Sequence, residues 1–82
     1  MRINDRLVVQ LVDADVVFID DVTGDEHTIS GRDIPALARR LTERQSMDFD
    51  DLGEDEYGVV ILRDEFPGVA FALGYFWATV NR

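Results

Sequence analysis

From Val69 to Val80 the chain runs twelve residues without a charge, although 30% of its 82 residues are charged. A segment of that composition has to be covered by something, so it constrains the fold more than any other stretch. At a two-residue period its odd positions are Val69, Phe71, Leu73, Tyr75, Trp77 and Thr79, and its even positions are Ala70, Ala72, Gly74, Phe76, Ala78 and Val80. One face is large and the other mostly small, which fits a strand. The preceding Asp64-Glu65-Phe66-Pro67-Gly68 reads as a Pro-Gly turn, and Tyr57 to Arg63 reads as a strand that is apolar on both faces. The expectation is a C-terminal β-hairpin of 57–63 with 69–80, with Gly74 at a bulge or bend. A helix over 69–80 is the competing reading. The small face would admit a helix close by, whereas the large face needs the sheet to curl into a small barrel or a second chain to cover it.

The N-terminal half has a clearer pattern. Leu7 to Val12, Val16 to Val22 and His27 to Ser30 are β-branched runs separated by Asp13-Ala14-Asp15 and Thr23-Gly24-Asp25-Glu26, so they read as an antiparallel meander. Ile34, Leu37, Ala38 and Leu41 then fall at i, i+3, i+4 and i+7, one stripe of an amphipathic helix. Ser30 or Asp33 caps its start, Pro35 is tolerated in its first turn, and it should end near Gln45 to Met47. The expected fold class is α+β in the order β-β-β-α-β-β. It is one domain over residues 1–82, with a single curved antiparallel sheet and the helix on one face.

Seventeen Asp and Glu oppose eight basic residues, all of them Arg, for a formal net charge of -9. The imbalance is uneven: residues 1–29 sum to -5, 30–47 to +2, 48–65 to -7 and 66–82 to +1. Such a field repels phosphate and anionic lipid, so neither direct nucleic-acid binding nor membrane binding is expected. It attracts a basic protein surface, in the extreme case a nucleic-acid-binding groove in which carboxylates mimic phosphates. The net charge also fits a solubility device, and the absence of Lys with 12 Asp to 5 Glu fits a high-salt cytoplasm or a GC-rich genome. The N-terminus carries no apolar signal segment and no run reaches the roughly 20 residues of a membrane span, which makes a cytoplasmic location the expectation.

Few chemistries remain open. With no Cys and one His, neither a thiolate nucleophile nor a multi-His metal site can be built within the chain. Asp48, Asp50 and Gly53 match positions 1, 3 and 6 of a calcium loop, but Leu52 and Val59 stand where two further ligands belong. His27, Ser30 and a nearby Asp are better explained by a strand edge and a helix cap than by a triad. The glycines form no phosphate cradle. No cofactor and no catalysis are expected.

Two binding surfaces are. The leading expectation is a small non-catalytic interaction protein, such as an inhibitor, an antitoxin or immunity-type partner, or a regulator. It would bind through Asp48, Asp50, Asp51, Glu54, Asp55 and Glu56, with Asp20, Asp21, Asp25 and Glu26 at the hairpin ends. The alternative is a structural or oligomerising subunit, a homodimer among the possibilities, that pairs through Phe71, Tyr75 and Trp77.

Overall fold

The three β-branched runs pair as expected. A computed structural model describes residues 1–47, 50–53 and 58–81. In it β1 (Leu7–Val12), β2 (Asp15–Asp20) and β3 (Glu26–Ser30) form an antiparallel sheet in the order β1-β2-β3. Val9 lies opposite Phe18, Leu11 opposite Val16 and Val16 opposite Ile29, so the alternating apolar positions gather on one face. Asp13 takes φ 57° in the two-residue turn between β1 and β2, a conformation Asp tolerates better than most residues. β2 stops earlier than its apolar pattern suggests because Asp20 turns the chain. Its Oδ1 accepts the Val22 and Thr23 N–H groups, leaving Val22 exposed. The first residues fold back along β1, with the Val9 N–H donating to the Met1 carbonyl and the Ile3 N–H to that of Leu7. That contact covers part of the outer edge of the sheet.

A 3₁₀ turn, Gly31–Asp33, leads into α1 (Ile34–Gln45). The Ser30 hydroxyl accepts the Arg32 N–H at 3.4 Å and so caps the 3₁₀ turn, whereas Asp33, which stands at the N-cap of α1 itself, makes no side-chain capping bond. Ile34, Leu37 and Leu41 face the core as the periodicity requires. At the other end Arg63 donates to the Gln45 carbonyl at 2.8 Å and to the Met47 carbonyl at 2.5 Å, supplying partners that the last helical turn lacks.

The C-terminal hairpin does not form. Residues 58–62 belong to no sheet among the described residues, and Gly58 takes φ 65°. Their pairing is the bridge of Leu62 with Asp51, flanked by hydrogen bonds from the Leu52 N–H to the Ile61 carbonyl and from the Arg63 N–H to that of Asp50. After a 3₁₀ turn at Arg63–Glu65, Phe66–Val80 is a helix, α2. The physical reason is legible in retrospect. Pro67 sits in the first helical turn, where a missing N–H costs nothing. The Glu65 carboxylate accepts the Leu62 N–H at 2.8 Å. Val69, Leu73, Phe76 and Val80 repeat at helical spacing, and Ala70, Ala72, Leu73 and Ala78 favour a helix. Gly68 is not a turn residue: a Cβ there would lie 2.9 Å from Ile3.

The two helices run antiparallel beneath the inner face of the sheet, so the architecture is α+β in two layers. The core joins Leu7, Val9, Val16, Phe18 and Ile29 of the sheet to Leu37 and Leu41 of α1 and to Val69, Leu73 and Phe76 of α2. Leu52, Val59 and Ile61 of the connecting segment close one end. At the other end Gly31 donates its N–H to the Ala14 carbonyl, and a Cβ at this position would stand 2.4 Å from that oxygen and 3.2 Å from Val80. The β1–β2 turn, the start of α1 and the end of α2 therefore meet at a position with no room for a side chain. Gly31→Ala should cost about 2 kcal/mol and lower Tm by roughly 10 °C. Thermal and urea unfolding followed by circular dichroism checks this; an unchanged midpoint would show that the three elements can part without cost.

Candidate functional site

The polar candidate begins with Arg6, at the entrance to β1. Its guanidinium donates through Nε to Glu65 Oε2 at 3.0 Å and through Nη2 to Glu65 Oε1 at 2.5 Å, a two-pronged pair. Nη1 reaches Asp20 Oδ2 and Nη2 the Val60 carbonyl, at 3.0 and 3.1 Å. Asn4 Nδ2 donates to Glu65 Oε2 at 2.7 Å, while Asn4 Oδ1 accepts the N–H groups of Arg6 and Leu7. Glu65 is 1% exposed, the one buried charged residue among those described. Burial pushes its carboxyl toward a higher pKa. The hydrogen bonds from Arg6, the Leu62 N–H and Asn4, together with the charge of Arg6, outweigh that penalty and hold it below the ordinary value. Arg6 is raised, chiefly by its hydrogen bonding to Glu65. Asp20 is lowered, first by the Thr23 N–H and then by that of Val22 and by Arg6.

A cleft of about 70 Å³ beside this knot is bordered by Asp20, Asp25 and His27. It has room for about two water molecules, far below the roughly 300 Å³ of a small-molecule site. Glu65 points its oxygens at internal donors, so it is not poised as an acid or a base. His27 and Ser30, three apart on one strand, project to opposite faces, and Ser30 is spent on its cap. The buried pair acts as a structural tie.

The expected acidic surface is only partly placed. Asp48, Glu54, Asp55 and Glu56 lie outside the described residues. Asp50 is exposed and its carbonyl accepts the Arg63 N–H, while Asp51 bridges to Leu62 and stands 3.9 Å from Arg44. At the hairpin ends Asp20 is held by Arg6, Asp21 pairs with Arg2, Asp25 accepts the Thr23 hydroxyl, and Glu26 is exposed at the start of β3. Several of these carboxylates therefore have partners inside the chain. No group of three or more potential metal ligands comes together among the described residues, and two positions that break the calcium-loop pattern, Leu52 and Val59, are core side chains.

The apolar candidate is better formed. As a helix rather than a strand, the C-terminal segment splits the expected aromatic set. Trp77 turns toward α1 and packs on the core, whereas Phe71 and Tyr75, one turn apart, project outward together with 67% and 61% of their surfaces exposed. The Tyr75 ring meets buried Phe76 edge to face, 6.0 Å between centroids, which steadies the ridge. Between the helices lies a groove of about 220 Å³, walled by Pro35, Ala38 and Thr42 of α1 and by Ala70, Gly74 and Trp77 of α2. Exposed Ala70, Gly74 and Ala78 separate groove from ridge. The α1 wall was not anticipated, because a one-helix reading gives Pro35, Ala38 and Thr42 nothing to face.

Replacing Glu65 by Gln leaves Arg6 without its main counter-charge, with an expected loss of about 3 kcal/mol at neutral pH. Glu65 is lowered from 4.5 and Asp20 from 3.8, so their stabilisation is complete above those values and fades as pH falls through the lower folded-state pKa values. The wild type should lose stability below about pH 4.5 and E65Q should lose less over that range; urea midpoints at pH 7 and pH 3 measure both. No family model matches this sequence, and neither a curated protein nor a solved structure shows significant similarity to it.

Proposed function

We propose that this protein is a small non-catalytic interaction module whose contact surface is the outer face of α2. The observation that carries the reading is the pair Phe71 and Tyr75, mostly exposed on a 15-residue helix that holds no charged side chain. Other exposed apolar residues, such as Val12 and Val22, stand singly at turns and need no explanation. An aromatic pair beside an apolar groove does need one. Two aromatic side chains exposed to this degree leave on the order of 250 Å² uncovered, worth roughly 6 kcal/mol if removed from water. That gain is of the size needed to offset much of the entropic cost of association.

The carboxylate-rich loops are the weaker basis for the same class of function. Arg2, Arg6 and Arg44 engage Asp21, Asp20 and Asp51 within the chain, and a basic partner would have to displace them. A photo-crosslinking residue placed at position 75 in the native cell should yield protein adducts, and the same probe at exposed position 22 should not. Adding Phe71→Glu should abolish them. Absence of any adduct from position 75 would dispose of the reading.

A further inference from the structure

We infer that the occupant of the α2 face is a second copy of this chain, in a two-fold contact that lays the Phe71–Tyr75 ridge of each copy in the groove of the other. The inference rests on α2 being a contact surface and names what covers it. Three features point to self-association. First, the ridge on the outer side of α2 and the groove between α2 and α1 lie side by side, bordered by the line Ala70, Gly74 and Ala78. A two-fold axis near Gly74 carries each ridge onto the opposite groove, so the surface is complementary to itself, as an isologous contact requires. A ring can come close to the backbone there, because nothing lies within 4 Å of where a Gly74 Cβ would be.

Second, each copy carries a net charge of -9, so two copies repel wherever their carboxylates meet. Phe66–Val80 has no charged residue, and α1 on its flank belongs to the segment of net charge +2. A partner drawn by opposite charge would find nothing here to hold it. A second copy finds a face on which the repulsion is least. Third, the area suffices for a modest dimer. Ridge, groove and small-residue line together offer on the order of 500 Å² per copy, or about 1,000 Å² in total. The roughly 500 Å² on each copy is about a tenth of its 5016 Å² surface, and the total sits at the lower bound of specific interfaces, the range of reversible contacts.

Sedimentation of the full chain from 1 µM to 1 mM, at roughly 0.1 and 1 M NaCl, tests this. A monomer–dimer equilibrium is expected, tightening several-fold in high salt as the repulsion is screened. Phe71→Glu and Gly74→Leu should each weaken the dimer at least tenfold with the far-ultraviolet circular dichroism unchanged; Tyr75→Ser serves if either fails to fold. Asp50→Asn with Asp51→Asn should leave it intact. A monomer at every concentration, or a dimer indifferent to the α2 variants, overturns the inference. Adducts to a different protein from position 75, with no dimer, would overturn the second copy and leave the contact surface standing. Neither dimer nor adducts would remove both.

Discussion

Glu65 gives up water almost entirely, and it stays ionised there because Arg6 meets its carboxylate with two N–H groups while Asn4 and the Leu62 N–H occupy the remaining acceptor sites. A buried ion pair of this kind adds little net stability over an apolar pair of the same shape, since both charges are desolvated. What it does supply is geometry. Arg6 belongs to the entry of β1, Asp20 to the end of β2, Val60 to the connecting segment and Glu65 to the turn before α2. Four parts of the chain are fixed to one guanidinium, and the starting point of α2 beneath the sheet follows from it.

The position of α2 decides which of its side chains see solvent. Once Val69, Leu73 and Phe76 are committed to the core, Phe71 and Tyr75 have no direction left but outward, and Trp77 falls beside α1. The exposed aromatic pair is thus a consequence of packing a helix that is apolar nearly all round against a single sheet with one companion helix. A sheet of three short strands covers one side of such a helix, not two.

Charge is arranged in the complementary way. Among the described residues the exposed and half-buried carboxylates lie on the turns, on the strand ends and near the end of α1, and arginines of the same chain reach several of them. A net charge of -9 on so small a surface would be expected to keep copies apart. No charge falls on α2, and a charge-rich surface and an apolar face can coexist because they occupy different elements.

The sequence by itself determined the meander, the first helix with its core-facing stripe, and the want of any thiol or multi-His site within the chain, because each depends on residues a few positions apart or on composition alone. It also marked 69–80 as the segment needing cover. Whether that segment became strand or helix was not decided by pattern, since its alternation of large and small residues and its i, i+4, i+7 repeat of Val69, Leu73 and Phe76 are both present in the same letters. Tertiary structure broke the tie. The connecting segment bridges Asp51 instead of extending the sheet, Gly68 packs under Ile3, and Glu65 meets Arg6 across 59 positions of sequence, a pairing with no local signature. The groove likewise needed two helices side by side, so half of its wall carried no sign of its role until α2 was in place.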